Sequence, residues 1–388
     1  MLISVEMPDS ADAAHAYLRD GALPLGGGTH LMAKLDDTAG TDVRLVSLRK
    51  AGLRGIDAED GVVTLGAATT LADVEDDPRL PYLSPCVRSI AAPPVRNLAT
   101  VAGNLFVPQP YGDLAAALLA LDAELDVLGA DGARREPLER IAAEGLPQGD
   151  LVTRVRFTAP APDTFRFHKA ARRRLNSGSI VTVAARVMVE DGVVADVRLA
   201  VGGLTHRLVR ATGAERALLG GPLTPRGRRP RGGGGRLRAG RRRLRLGLVP
   251  RQGLPRPPAS RPARGLKGER MPSRIVTLKV NGAERELIAR PSTTLLAALR
   301  ETLGLMGAKR GCAQGGCGSC TVLLDGRPVV ACLIPVVTVD GAAVETIEGQ
   351  ADGERLSDVQ QAFVDGFATQ CGFCTPRDDH VRHRSARP

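Results

Sequence analysis

The sequence predicts an α+β chain in two unequal halves, and three observations carry that expectation. Residues 1 to about 220 alternate helix-period apolar patterns with short β-type runs. Residues 225–270 lose all hydrophobic periodicity. From Met271 a strand, a turn, a second strand and a helix follow in quick order and lead into a group of cysteines. At 388 residues and 43% hydrophobic, the chain is long enough for two or three domains with cores of their own.

In the first half, "AAALLALDAELDVLGA" around 115–130 predicts a helix running into a strand. "SIVTVAARVMVEDGVVADVRLAV" at 179–201 predicts a hairpin turning at Asp191-Gly192. The stretch after Pro225 is too poor in apolar residues to offset its own ordering entropy and is expected to behave as a linker. In the second half "IVTLKVNG" is an alternating strand that turns at Asn281-Gly282, and "ERELIA" is its partner. "STTLLAALRETLG" predicts a helix capped by Ser292 or Thr293 and stopped at Gly304. Strand, hairpin, strand and helix are the opening of a β-grasp fold.

The formal charge of +11 resembles a nucleic-acid signal until it is located. Between Arg226 and Arg270 fifteen arginines and one lysine face one glutamate, which exceeds the whole surplus, so the remainder is slightly acidic. With no Trp and 3% aromatic residues, no base-stacking platform is expected and nucleic acid is not a predicted partner. The N-terminus lacks a basic region followed by an apolar core, and no stretch approaches about 18 continuous apolar residues. No membrane span is expected, and the chain reads as cytoplasmic.

Six of the seven cysteines lie between positions 312 and 374, which in a reducing compartment argues for metal or cluster ligation. Cys86 stands alone and reads as a small buried hydrophobe. Cys312, Cys317, Cys320 and Cys332 follow the spacing C-x4-C-x2-C-x11-C, whose first three members are those of plant-type [2Fe–2S] centres. Gly311, Gly315, Gly316 and Gly318 let the backbone curl close to such a cluster. Zinc is the competing reading, but tetrahedral zinc usually takes two C-x2-C knuckles. Cys371 and Cys374 supply half of a second site, with no cysteine after them.

"LPLGGGTHLM" at 23–32 places three glycines after a short apolar run, where bare N–H groups can approach a pyrophosphate. It lacks the Rossmann spacing, which would need glycine or alanine at Leu31. An ordinary glycine turn is the alternative.

"GCAQGGCGSCTVLLDGRPVVACL" at 311–333 resembles the iron–sulfur subunit of the molybdenum hydroxylases, the xanthine dehydrogenase and carbon monoxide dehydrogenase family. "QCGFCTP" at 370–376 resembles the second cluster motif of the same subunit, which sits in a helical domain and is completed by a later C-x-C pair. "LGGGTHLM" with "RNLATVAGNLFVPQPYGDLAAALLALDAEL" resembles the family's FAD-binding medium subunit over residues 1 to about 220.

The resemblance implies a two-subdomain FAD-binding domain (PCMH-like) over 1–170 and an incomplete flavoprotein C-terminal α+β domain over 171–224. After the linker at 225–270 it implies a β-grasp ferredoxin-like [2Fe–2S] domain over 271–348 and the start of a helical iron–sulfur domain over 349–388. It assigns Leu25, Gly26, Gly27, Gly28, Thr29, His30, Leu31 and Met32 to a first FAD loop. Thr100, Val101, Ala102, Gly103 and Asn104 fall on a second, T-x-G-G-N, with Ala102 where relatives have glycine. His30 has no partner readable from the sequence and reads first as solvent-facing or supporting. Asp113 matches an acid that bonds the cofactor, and Lys169 a lysine near the flavin. Their plain alternatives are a helix N-cap and a surface cation. Cys312, Cys317, Cys320 and Cys332 would hold the complete cluster, and Cys371 and Cys374 two ligands of the second.

The implied function is electron transfer from a molybdopterin-binding large subunit through [2Fe–2S] to FAD and on to an external acceptor (NAD, quinone, ferredoxin or oxygen). No catalytic side chain is implied. Two rivals stand beside it: an inert product of a damaged locus, and a stand-alone FAD and iron–sulfur reductase using a nicotinamide donor. The Arg/Gly/Pro composition of 225–270 is what off-frame reading of GC-rich DNA gives, and a one-base shift after Pro376 would restore the family's T-P-G-M-I. The one-base-shift reading therefore predicts that resequencing the codons for Thr224–Met271 and Cys374–Pro388 restores Gly-Met-Ile-Met and a downstream C-x-C pair. Confirmation of the written frame would remove it and leave a genuine tether and tail.

Overall fold

The computed structural model describes residues 2–35, 42–173, 176–203, 207–222, 273–378 and 380. The expected linker at 225–270 and the tail after His380 lie outside them. Among the described residues the strands form four sheets.

The chain opens with β1 (Leu2–Glu6), α1 (Ala11–Arg19), β2 (Leu23–Leu25), α2 (Leu31–Leu35) and β3 (Val43–Ser47). They make a small parallel sheet with β3 in the middle. As a parallel sheet's central strand β3 is buried on both faces, and its alternation sends Val43 and Leu45 into one core and Val46 into another.

An antiparallel sheet follows, ordered β4-β5-β8-β6-β7. It is built from β4 (Ile56–Glu59), β5 (Val62–Gly66), β6 (Glu124–Gly129), β7 (Gly132–Pro137) and β8 (Leu151–Thr158). Helices α3 (Leu71–Asp76), α4 (Ser84–Arg88), α5 (Pro93–Arg96), α6 (Val101–Leu105), α7 (Asp113–Ala120) and α8 (Leu138–Glu144) surround it. Every residue of α7 is buried, as the all-apolar run after Asp113 requires, and it runs into β6 as the sequence predicts. The third sheet, β12-β11-β10-β9, contains β9 (Phe165–Ala171), β10 (Ser179–Glu190), β11 (Val193–Gly202) and β12 (Val209–Arg210), followed by α9 (Thr212–Leu218).

The second half is a mixed sheet ordered β14-β13-β17-β15-β16. Its strands are β13 (Arg274–Val280), β14 (Ala283–Ala289), β15 (Thr321–Leu324), β16 (Arg327–Val330) and β17 (Ala343–Glu345). The helices are α10 (Leu295–Ala297) and α11 (Asp358–Asp365). Both expected hairpins turn where the sequence places them, with Asp191 and Gly192 at φ 51° and 79°, and Asn281 and Gly282 at φ 50° and 84°.

The helix after β14 departs from expectation. Its cap is Thr294, whose hydroxyl accepts from Ala297 N, and not Ser292 or Thr293. Thr293 is used one turn earlier, accepting from Arg290 N. After Ala297 the turns widen, with Leu303 N bonding to Ala298 O five residues back, before Gly304 ends the segment.

The two halves share one apolar core. Leu2, Val5, Leu25, Val43, Leu45 and Leu98 pack with Val276, Leu278, Leu324, Leu333, Ile334 and their neighbours from the β-grasp sheet. A polar rim surrounds the seam. Arg327 pairs with Asp73 at 2.7 Å, Asn97 Nδ2 donates to Pro328 O at 2.7 Å, and Arg49 reaches Asp325 at 3.3 Å. Arg54 holds the same Asp73 from the other side at 2.7 Å. Burial pushes the Asp73 carboxyl up, but the bonds from Arg327 and Thr70, with the charge of Arg54, outweigh it and hold the carboxyl below its ordinary range. Leu45→Ala should cost about 2–5 kcal/mol and lower the calorimetric transitions of both halves together. A cluster-domain transition that stays in place would show that the seam is not energetically shared.

Candidate functional site

The Cys312–Cys320 loop follows Arg310 and feeds β15. Its N–H groups turn inward onto sulfur. Gln314 N and Cys317 N donate to Cys312 Sγ at 3.3 and 3.4 Å, and Cys312 N donates to Cys317 Sγ at 3.4 Å. Such donors stabilise thiolates over thiols. At Cys317 burial pushes the thiol up, but the Ser319 and Cys312 donors outweigh it and bring it down to about 7. Cys320 and Cys332 are buried free thiols hydrogen-bonded to each other, so Cys320 is held down by its neighbour while Cys332 is pushed up.

The four sulfurs thus come as two close pairs, Cys312 with Cys317 and Cys320 with Cys332. Among the described residues no three His, Cys, Asp or Glu side chains converge as they would on a single metal ion. Two thiolates for each of two irons fits this pattern. Cys371 and Cys374 are both exposed, and among the described residues no third ligand joins them.

The two glycine-bearing loops of the first half meet. Leu25 ends β2, and the loop from Gly26 to His30 then passes against 98–100 so closely that a Cβ on Gly27 would collide with the Leu98 carbonyl. A Cβ on Gly26 would stand 2.7 Å from Thr100 Oγ1, and one on Gly103 2.8 Å from the same atom. Thr100 caps α6 by accepting from Gly103 N at 3.1 Å, and Asn104 Oδ1 receives Leu114 N at the same distance. Thr29, Leu31 and Met32 lead from the loop into α2, with Met32 N bonded to Gly28 O. The His30 Nε2 is buried without a hydrogen-bond partner among the described residues, against the solvent-facing expectation. Burial, then Lys34, pushes its pKa down, so the ring is neutral and keeps an open nitrogen. Backbone packed this tightly, beside an unpaired buried nitrogen, fits a cradle for a phosphate-bearing cofactor.

The plain alternatives for Asp113 and Lys169 do not hold. Gly112 occupies the N-cap of α7, and Asp113 is its first helical residue, 5% exposed. Its Oδ2 receives Lys169 Nζ at 2.7 Å, while its Oδ1 receives Ser179 Oγ at 2.6 Å and the Thr182 hydroxyl. Lys169, its side chain 9% exposed, is not a surface cation and also donates to Ser89 O at 2.9 Å. Ser89, Ser179 and Thr182 carry no local sequence signal: Ser179 and Thr182 meet Asp113 because β10 packs on α7, and Ser89, at the end of α4, meets Lys169 because α4 packs on β9. Cys86 is fully buried, as expected of a small core residue, and burial and the nearby Asp113 push its thiol well up.

A further contact joins the two sites. A Cβ on Gly28 would stand 3.0 Å from the carbonyl oxygen of Leu333, the residue after Cys332. The first glycine loop and the turn that carries Cys332 are therefore neighbours across the seam.

Comparison with known families agrees with this geometry. Residues 2–160 match the FAD binding domain in molybdopterin dehydrogenase, and 166–227 the CO dehydrogenase flavoprotein C-terminal domain. Residues 278–337 match a 2Fe-2S iron-sulfur cluster binding domain, and 346–377 a [2Fe-2S] binding domain. The chain is an FAD and [2Fe–2S] chain of the molybdenum hydroxylase family. Among its relatives, an aldehyde oxidoreductase iron-sulfur-binding subunit of Escherichia coli O157:H7 is 50% identical over 119 residues, 30% of this chain and 50% of that one. A xanthine dehydrogenase iron-sulfur-binding subunit of the same organism is 45% identical over 106 residues, 27% of this chain and 66% of that one. The solved carbon monoxide dehydrogenase from Hydrogenophaga pseudoflava is similar at 25% identity and TM-score 0.54, covering 58% of this chain and 83% of its own. The chain spans about half the length of the aldehyde oxidoreductase relatives it matches. Among the described residues no helix is long and apolar enough to cross a membrane.

Removing one partner of the Asp113–Lys169 pair strands a buried charge. Asp113→Asn should destabilise the flavin half by about 3–5 kcal/mol in denaturant unfolding, and the Asp113→Asn/Lys169→Met double variant should recover part of that loss. A single variant at wild-type stability would remove the pair from the account of how α7, β9 and β10 are joined.

Proposed function

We propose that this chain is the electron-transfer component of a molybdenum-hydroxylase oxidoreductase. In this reading it takes electrons from a molybdopterin-binding large subunit and passes them through [2Fe–2S] to FAD and an external acceptor. Cys312, Cys317, Cys320 and Cys332 are its cluster ligands. Leu25–Met32, Thr100, Gly103, Asn104, Asp113 and Lys169 form the FAD side, and Cys371 and Cys374 belong to a second cluster. The domains divide at about 170, 224, 270 and 348.

The observation that carries this reading is the contact of Gly28 with Leu333, which sets the loop proposed for FAD against the loop that follows the fourth cluster ligand. When bound, the flavin supplies two electrons in single steps and the cluster one at a time, which converts between the two kinds of chemistry. The residues of this chain do the holding. Loop N–H groups point onto Cys312 and Cys317 Sγ, Cys320 and Cys332 are buried in one core with Val330 and Leu333, and the absence of a side chain at Gly28 lets the first glycine loop approach Leu333. Asp113 and Lys169 hold β9 and β10 onto α7 without moving a proton. No nucleophile or general base is required.

Reconstituted full-length chain should bind FAD and show the visible and EPR spectrum of a [2Fe–2S] centre, and Cys320→Ser should abolish that spectrum while sparing FAD. A chain that loads neither group would favour the inert product.

A further inference from the structure

Gly318 sits between two proposed cluster ligands, at φ 73°, and the space beside it is occupied from outside the β-grasp segment. A Cβ there would stand 2.8 Å from Arg377 Nε. The same arginine donates from Nη1 to the carbonyl of Cys317 at 3.3 Å. A guanidinium thus lies across the Cys317–Gly318 backbone, brought in by the short helical turn that follows Cys374. Among the described residues its ion-pair partner is Asp378, at a loose 4.0 Å. The other two cations of the loop are engaged elsewhere. Arg310 pairs with Glu301 at 2.6 Å and Lys309 donates to Met306 O at 2.7 Å.

We infer that Arg377 is a positioning residue that raises the reduction potential of the cluster held by Cys312, Cys317, Cys320 and Cys332, and clamps the Cys371–Cys374 segment onto that loop. The inference rests on reading those four cysteines as cluster ligands and on the written frame at Arg377, which the one-base-shift reading would replace with glycine. Adding an electron to a four-thiolate cluster increases its negative charge by one, so a fixed cation nearby favours the reduced state. The effect is strongest where the cation is held against the loop, and the hydrogen bond to Cys317 O together with the bare Cα of Gly318 holds it there. With side-chain exposure of 37%, the guanidinium is partly screened by water, so its influence is moderated and not lost.

The test is an EPR-monitored redox titration of the full-length, cluster-loaded chain. Arg377→Gln, which keeps a donor but removes the charge, should move the midpoint to a more negative potential, and Arg377→Lys should stay near the wild-type value. Coincident titrations of wild type and Arg377→Gln would overturn the inference, as would equal shifts in the Gln and Lys variants, which would report loop distortion instead of charge. Should Arg377→Gln fail to load the cluster, Asp378→Asn keeps the arginine and removes its opposing carboxylate. It should move the midpoint upward, and an unchanged or lowered value overturns the inference. A wild-type chain with no cluster spectrum at all would instead overturn the ligand assignment, and this inference with it.

Discussion

The apolar seam between the small parallel sheet and the β-grasp sheet is the constraint on which both sites depend. Leu25 lies in it and ends the strand that launches the first glycine loop, and Leu98 lies in it two residues before Thr100. On the other side Cys332 and Leu333 are part of the same core. Burying each leucine-sized side chain is worth roughly 1.5–3 kcal/mol, whereas exposed rim pairs such as Arg49 with Asp325 contribute about 0–1 kcal/mol each. The leucines and valines hold the halves together, and the Asp73, Asn97 and Arg327 rim fixes how they are aligned.

Within each half a different force sets the local geometry. At the cysteine loop it is electrostatic, since inward N–H groups favour sulfur in its charged form before any iron is present. At the flavin side it is steric. Gly26, Gly27 and Gly103 exist there because the chain passes Leu98 and Thr100 with no room for a methyl group. A buried ion pair closes the third side. Lys169 and Asp113 would be costly apart, and Ser179 and Thr182 complete the carboxylate's hydrogen bonds so that neither charge is left alone.

Much of this was legible in the sequence where the information is local. Asp191-Gly192 and Asn281-Gly282 announced their hairpins because few residue pairs adopt two successive positive φ values. The cysteine spacing announced a loop that wraps a cluster, and the apolar run from Leu114 to Leu121 a buried helix. What was not legible is decided by tertiary partners. Three hydroxyls in a row at Ser292, Thr293 and Thr294 each satisfy the rule for a cap, and the choice falls to Thr294 because Thr293 is taken by Arg290 N. Asp113 could be a cap by sequence, and only the docking of β10 shows it as the anchor of an ion pair. Nothing in "CTPRDDH" hints that Arg377 touches Gly318, since that contact spans the fold.

The seam also bears on how the chain is made. Its two sides come from opposite ends of the sequence, so during synthesis Leu2, Val5, Val43 and Leu45 leave the ribosome long before Val276 and Leu278 exist to cover them. At about 5–20 residues per second, that face of the parallel sheet stays open to solvent for tens of seconds. Arrival of the β-grasp segment is the event that closes that face.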